Sequence, residues 1–158
     1  GVDGRSRLAP ADVVIVVDVL DVAGLGSTAV VAAASDALVL GGGLRNAAAV
    51  ADAVLAAQTR KGDRAFINVV AVGDQGRFAV EDQLGAGAVI AALGDLGVDY
   101  TSPEAAVTAE GFRGLKRAAR HLLTAAATGQ QLIELDRRDE VLAAGELNAD
   151  TEVVVLRD

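Results

Sequence analysis

The sequence predicts an α/β fold, a three-layer domain in which helices cover both faces of a mostly parallel sheet. Four short apolar runs rich in β-branched residues lack the polar alternation of a half-exposed strand, which is typical of strands buried on both faces. Segments with helical spacing of apolar residues separate these runs, and strands that alternate with helices build βαβ units. The length of 158 residues suits one domain, spanning residues 1–158, with a substantial core.

The elements are predicted as follows, in chain order. The apolar runs predict strands at Val13–Val17, Ala37–Leu40, Phe66–Val72 and Val153–Leu156. Helical spacing predicts helices at Ser27–Ala34, Asn46–Gln58 and Val80–Leu93, with two short helices at Gln130–Leu135 and Asp139–Ala144. No internal repeat or low-complexity linker divides these elements.

The longest helix is predicted to begin at Ser102-Pro103-Glu104. A hydroxyl N-cap, a proline at the first helical position and an acid in the first turn are three start signals that occur together here. The apolar stripe that follows continues to Gly129, where a glycine predicts the end of the helix.

The composition excludes several functional classes. Without cysteine there is no disulfide, no Cys-type zinc site and no thiol nucleophile. The 22 acidic residues outnumber the 14 basic residues and give a net charge of -8, which disfavours binding to nucleic acid or an anionic membrane surface. Richness in Ala, Gly, Val, Arg and Asp indicates G/C-rich coding DNA and therefore a bacterial source.

The hydropathy pattern predicts a cytoplasmic protein. No segment approaches the roughly 18 apolar residues that a membrane span needs, and the first residues lack the long apolar core of a signal peptide. The Ala-rich helix faces, with few large side chains, are compatible with a homo-oligomer.

Carboxylates occur where a ligand site of an α/β sheet is expected. Ligands bind beyond the carboxyl ends of the strands, and Asp18 ends the first predicted strand, while Glu81 and Asp82 open the helix after the third. Because Mg²⁺ binds through one or two carboxylates and completes its octahedron with water and substrate phosphate, these acids predict a magnesium site. The alternative is structural: Asp18 caps a turn, and the two helical acids complement the helix dipole.

A glycine pattern precedes Ser27 and Thr28. Residues 24–29 fit the Gly-x-Gly-x-x-Ala dinucleotide pattern, but the glycines come late after the strand, and glycines stand where a ribose-binding acid is expected. A nucleotide-binding domain is therefore a distant alternative. Ser27 and Thr28 are candidates to donate to a single phosphate, or simply to cap a helix.

Three further polar residues are candidates with competing structural roles. Arg45 can clamp an anion through two hydrogen bonds, although an arginine beside a loop is commonly solvated. Asn46 suits the N-cap of the next helix by residue type. His121 lies within a predicted helix without a partner acid at a useful spacing, which favours a structural role.

Several blocks together resemble the 2-phosphosulfolactate phosphatase family. The Val17–Leu20 segment is similar to that family's N-terminal Asp-Val-Leu motif, and the Glu-Asp-x-Leu-x-Ala-Gly type of block that begins at Glu81 is the most specific part. The other blocks that carry the resemblance are Gly43–Ala51, Ser102–Ala106 and Thr128–Leu132.

The resemblance implies a magnesium-dependent hydrolase that removes phosphate from 2-phospho-3-sulfolactate, on the route to coenzyme M, or from a related small acidic phosphoester. It implies catalytic roles for Asp18, Glu81 and Asp82, with Asp18 and Asp82 as the metal ligands. It also implies that the substrate-binding residues are Ser27, Thr28, Arg45 and Asn46.

Two departures from the family pattern bear on activity. Asp21 stands where the family usually has an arginine, so a negative charge replaces a phosphate ligand. A middle segment of the family also has no counterpart in this chain. A second hypothesis is therefore a catalytically inactive paralogue that serves as a binding or assembly module.

Overall fold

The computed structural model describes residues 9–22, 36–74 and 77–158. Within these ranges the strands are β1 (Val13–Val17), β2 (Leu38–Gly42), β3 (Ile67–Ala71) and β4 (Val154–Arg157). They form one sheet in the order β3-β1-β2-β4. Strand β1 pairs in parallel with β2 and β3, while β4 adds to β2 in the antiparallel direction. The prediction of a mostly parallel α/β sheet is confirmed.

The described helices follow the strands in the alternation that the sequence predicts. They are α1 (Ala47–Lys61), α2 (Val80–Asp95), α3 (Pro103–Leu115), α4 (Ala119–Ala125), α5 (Ala127–Glu134) and α6 (Arg138–Ala144), with a 3-10 turn at Lys116–Ala118 between α3 and α4. The predicted helix at residues 27–34 lies outside the described residues. In the part of the chain that the structure describes, no helix combines the length and the apolar character needed to cross a bilayer.

Strand β1 is buried along its whole length because both of its faces are covered. Ile15 and Val17 lie in the larger core cluster with Val50 of α1 and Val89 of α2. Val14 and Val16 lie in a second cluster with Val39. Full burial of each such side chain stabilises the fold by about 1.5–3 kcal/mol, and burial on both faces of the sheet is what a three-layer α/β fold requires.

Two glycines of α2 allow it to pack closely on its neighbours. A Cβ at Gly85 would lie 2.7 Å from Val19 Cγ2, and one at Gly87 would lie 2.6 Å from the Thr108 carbonyl oxygen. Real Cβ atoms do not approach other atoms so closely, so only glycine fits at these positions. The close approach brings the first turn of α2 to the carboxyl end of β1.

The prediction of one long helix from Ser102 to Gly129 is correct at its start and wrong at its end. The Ser102 hydroxyl accepts a hydrogen bond from the Ala105 N–H at 3.3 Å, as an N-cap should. The helix then breaks into α3, α4 and α5, with Ala126 extended (φ -64°, ψ 154°) between the last two. Gly129 lies inside α5, where a Cβ would overlap the Leu123 carbonyl oxygen. This glycine therefore permits a close helix contact and does not end a helix.

Candidate active site

The Asp82 carboxylate connects the loops that follow two neighbouring strands. Its Oδ1 accepts a hydrogen bond from the Val19 N–H at 2.8 Å, directly after Asp18 at the end of β1. Its Oδ2 accepts a hydrogen bond from the Gly73 N–H at 2.8 Å, just after β3. The structure therefore brings Asp82 to the peptide that follows Asp18, at the carboxyl ends of parallel strands, where α/β sheets bind their ligands.

The position of Asp82 is not explained by helix-dipole complementation alone. Asp82 lies in the first turn of α2, but both of its carboxylate oxygens accept hydrogen bonds from N–H groups outside that helix. Gly73 has a left-handed conformation (φ 72°), and a Cβ there would overlap the Arg77 carbonyl oxygen, so this loop requires glycine. The carboxylate thus ties α2 to two loops of the sheet.

The electrostatic environment of Asp82 is unfavourable to its charge. Asp82 is 3% exposed, and this burial raises its pKa to about 6. The hydrogen bonds from Val19 and Gly73 oppose the rise, whereas the negative charges of Asp18 and Glu81 add to it. The carboxylates of Asp18 and Glu81 therefore lie within electrostatic range of Asp82, and Glu81 is as buried as Asp82. Such a concentration of negative charge attracts a divalent cation.

A cleft of about 270 Å³ lies beyond the carboxyl ends of β1 and β2. Asp18, Arg45 and Asn46 line it, together with Gly41 and Gly42 at the end of β2 and Gly43 directly after them. These three glycines, which lead into the turn before α1, are called the glycine turn. The structure thus brings three of the predicted site residues into one cleft. Val19, whose N–H binds Asp82, also lines the cleft, so Asp82 is linked to it through that hydrogen bond.

The prediction that Asn46 caps helix α1 is wrong. Asn46 occupies the N-cap position, but its side chain makes no capping hydrogen bond. Its Oδ1 accepts from the Gly43 N–H at 3.0 Å, and its Nδ2 donates to the Gly41 carbonyl oxygen at 3.1 Å. The side chain is turned away from the helix because it bridges the two ends of the glycine turn. A residue that the sequence did not single out caps α1 instead, since Asn148 Oδ1 accepts from the Ala48 N–H at 2.9 Å.

Arg45 has the two-pronged geometry expected of an anion clamp, but its partner belongs to the same chain. Its Nε and Nη2 donate to the two carboxylate oxygens of Asp150 at 2.8 Å and 2.7 Å, and its Nη1 donates to the Ala143 carbonyl oxygen at 2.8 Å. Glu146 is a second acidic partner, at 3.3 Å. The hydrogen bonds to Asp150 raise the pKa of Arg45 and lower that of Asp150. The alternative of a merely solvated arginine is wrong.

The remaining candidates fall into two groups. Ser27 and Thr28, the predicted phosphate donors, lie outside the described residues. His121 is exposed on α4, and its carbonyl oxygen accepts a hydrogen bond from the Thr124 hydroxyl at 2.9 Å.

In the part of the chain that the structure describes, no group of three or more His, Cys, Asp or Glu side chains is arranged to hold a metal ion. A metal at this site would therefore depend on two carboxylates, Asp18 and Asp82, and on water and substrate for its other ligands. That donor set fits Mg²⁺, which commonly binds proteins through one or two carboxylates.

Comparison with known proteins supplies the family. A family model described as 2-phosphosulpholactate phosphatase matches residues 23–158. The chain belongs to the 2-phosphosulpholactate phosphatase family. The match includes Arg45, Asn46, Glu81 and Asp82, whereas Asp18 precedes its first residue. No curated protein matches the chain. The resemblance inferred from the sequence blocks is confirmed, and phosphatase is the activity that the family's description names.

Proposed function

We propose that this chain is a magnesium-dependent phosphatase that hydrolyses a small acidic phosphoester such as 2-phospho-3-sulfolactate. The observation that carries the proposal is the buried Asp82 carboxylate, which binds the peptide directly after Asp18 in a chain of a phosphatase family. The same arrangement supports Asp18 and Asp82 as the metal ligands.

The donor set suits Mg²⁺ on chemical grounds. Carboxylate oxygens are the hard ligands that this ion prefers. Each Asp82 oxygen accepts one backbone hydrogen bond and retains a further lone pair for coordination. When bound, Mg²⁺ supplies Lewis-acid polarisation of a phosphoryl oxygen and orients the reacting groups. Its charge also offsets the repulsion between Asp18, Glu81 and Asp82.

The protein's own contribution is to fix these groups in place. The N–H groups of Val19 and Gly73 hold the Asp82 carboxylate in one orientation, so little reorganisation is needed when a ligand arrives. Glu81 adds negative charge near Asp82 and so favours a cation over an anion at that point. Glu81 would thereby help the site to hold Mg²⁺.

Substrate binding is proposed for the residues of the cleft. Asn46 shapes the glycine turn that lines it. The family resemblance adds Ser27 and Thr28, which lie outside the described residues, as candidates to donate to the phosphate. Arg45 lines the same cleft and attracts the anionic groups of the substrate, although Asp150 offsets part of its charge.

A second candidate function is that of a binding or assembly module without turnover. Arg45 is the one basic residue among the described residues that line the cleft, and it is already paired with Asp150. Asp21 adds a negative charge to the loop after β1, where the resemblance implies an arginine. A doubly or triply charged phosphoester therefore meets little uncompensated positive charge from these residues.

Phosphate release from 2-phospho-3-sulfolactate tests the two functions. The full chain is assayed with Mg²⁺ and again with a chelator in excess, beside the variants Asp18→Asn and Asp82→Asn. The matched control is Asp52→Asn, which makes the same chemical change at an exposed position of α1. We expect magnesium-dependent release that falls about 100-fold or more in the two site variants and is unchanged in the control.

The outcomes separate the hypotheses. No release from the unmodified chain at any Mg²⁺ concentration would favour the inactive module. Release that persists in both Asp18→Asn and Asp82→Asn would reject the proposed metal ligands. Circular dichroism of each variant checks that a loss of activity is not a loss of fold.

A further inference from the structure

Helix α1 is capped by a residue one hundred positions further along the chain. Asn148 Oδ1 accepts the Ala48 N–H at 2.9 Å, and the Asn148 N–H donates to the Leu44 carbonyl oxygen at 3.0 Å. Asn148 has a left-handed backbone conformation (φ 53°), which asparagine adopts more readily than most residues. The first turn of α1 therefore receives the side-chain acceptor that a helix N-terminus requires.

The cap supplied by Asn148 has a consequence for Asn46. Asn46 is the residue whose type and position suit capping, but its backbone (φ -129°, ψ 20°) is not in the extended conformation of a capping residue. Its side chain instead binds Gly43 and Gly41. One asparagine side chain cannot bridge the glycine turn and cap α1 at once, so the cap from Asn148 allows Asn46 to shape the cleft.

The segment that carries Asn148, residues 145–150, is held in place on both sides of it. The Asp150 N–H donates to the Arg45 carbonyl oxygen at 2.8 Å, and the Asp150 carboxylate takes two hydrogen bonds from the Arg45 guanidinium. On the other side, Arg120 donates to Glu146 at 2.7 Å. These contacts fix the position of the cap before any ligand binds.

We propose that Asn148 is a positioning residue for the cleft, which caps α1 and thereby keeps the Asn46 side chain on the glycine turn. The inference rests on the proposed function, because the glycine turn lines the cleft to which that function assigns the substrate. Without the cap, the free N–H groups of α1 draw the Asn46 side chain toward the helix. Gly41 and Gly43 then lose the side chain that connects them.

Amide hydrogen exchange of Gly43, followed by NMR in the full chain, tests the inference without any need for turnover. Asn148→Gly keeps the left-handed backbone accessible and removes the capping oxygen, whereas Asn148→Asp keeps an acceptor at that position. We expect Asn148→Gly to accelerate Gly43 exchange about fivefold, because the typical free energy of a helix cap corresponds to an equilibrium ratio of about five. Asn148→Asp retains slow exchange.

Two controls isolate the effect. Leu147→Ala changes a half-exposed neighbour in the same segment and leaves Gly43 exchange unaltered. The amide of Val54, which is fully buried in α1, serves as an internal reference for any change in global stability. Unaltered Gly43 exchange in Asn148→Gly would overturn the inference, and so would the same acceleration in Asn148→Asp or in Leu147→Ala.

Kinetics with 2-phospho-3-sulfolactate and Mg²⁺ connect the inference to the site. We expect Asn148→Gly to raise KM about fivefold, in line with the lost cap, with kcat changed much less, because the metal ligands are untouched. In an Asn46→Ala background, Asn148→Gly should raise KM no further. If the chain shows no turnover but Asn148→Gly accelerates Gly43 exchange, only the proposed function is rejected. If the chain turns over substrate but Asn148→Gly leaves Gly43 exchange unaltered, only the role of Asn148 is rejected.

Discussion

The carboxylate of Asp82 accepts a hydrogen bond at 2.8 Å from the N–H of Val19, a residue 63 positions earlier in the chain. Because Asp18 precedes Val19, this contact fixes the end of β1 relative to the first turn of α2. The second oxygen of Asp82 does the same for Gly73 at the end of β3. One buried carboxylate thereby joins three separate segments of the chain, which gives the proposed metal ligand a structural role as well.

The first prediction concerns the stability of the metal-free protein as a function of pH. Burial raises the pKa of Asp82 from 3.8 to about 6, so between these values the folded state binds more protons than the unfolded state. The free energy of unfolding therefore falls as the pH rises from about 4 to about 6, by about 3 kcal/mol in total if Asp82 acts alone. Urea unfolding at a series of pH values measures the slope of the unfolding free energy against pH.

The matched variant for this experiment is Asp82→Asn, which cannot titrate. We expect the part of the slope of unfolding free energy against pH that comes from Asp82 to disappear between pH 4 and 6, whatever the absolute stability of the variant. The Asp52→Asn control should keep the slope of the unmodified chain. An equal slope in Asp82→Asn would show that other carboxylates dominate in this range.

The second prediction concerns magnesium. If Mg²⁺ binds at the proposed site, a concentration of about 100 times its Kd at pH 7 should stabilise the folded state by about 2.7 kcal/mol. For a chain of this size we expect the Tm to rise by roughly 5–10 °C. Differential scanning calorimetry with and without a chelator measures the shift. Asp18→Asn and Asp82→Asn should lose it and Asp52→Asn should keep it; a shift common to all three would place the ion elsewhere.

The third prediction concerns the packing of α2 on the site. Gly85→Ala places a Cβ 2.7 Å from Val19 Cγ2 and 2.8 Å from Val17 Cγ1. We expect a loss of about 1–3 kcal/mol in the free energy of unfolding, because buried apolar atoms have to move. The shift also displaces the first turn of α2, so phosphatase activity should fall together with stability.

Gly111→Ala is the control for this packing argument. Gly111 lies in α3, and a Cβ added there would have nothing within 4 Å. Alanine therefore adds helix propensity without a clash and should stabilise the protein by about 0.5–1 kcal/mol. Chemical denaturation of both variants decides the point. Equal effects of the two substitutions would contradict the packing argument.

The sequence predicts the strands and the fold class because both depend on local pattern. A continuous β-branched run specifies a buried strand, and the end of a parallel strand specifies where a ligand site lies. The roles of Arg45 and Asn46 escaped prediction for a different reason. Asp150, which pairs with Arg45, and Asn148, which caps α1 in place of Asn46, both follow about a hundred residues later, and no periodicity connects positions so far apart.

The helix break at Ala126 was not predicted either, because it also depends on a contact that the local sequence does not reveal. Gly129 carries the usual signal of a helix end, but the reason for the glycine is the carbonyl oxygen of Leu123, which leaves no room for a Cβ. A close contact between two helices and a helix terminus can both require glycine, and residue type alone does not distinguish them.

The last prediction asks whether the charge of Arg45 can act on a ligand while Asp150 holds it. Asp150→Asn removes a negative charge directly beside the guanidinium, so an anion in the cleft meets less repulsion. We expect inorganic phosphate to bind about threefold more tightly at low salt, with the gain reduced at high salt, since Debye screening weakens interactions between exposed charges. Isothermal titration calorimetry measures both values.

Two further variants assign the gain to Arg45. The double variant Arg45→Ala with Asp150→Asn should bind phosphate no more tightly than the unmodified chain, because the cation that benefits is gone. Asp52→Asn makes the same change in net charge away from the cleft lining and should leave the affinity unaltered. If Asp150→Asn and the double variant gained equally, the effect would come from net charge alone, and Arg45 would serve only to hold residues 145–150 against the glycine turn.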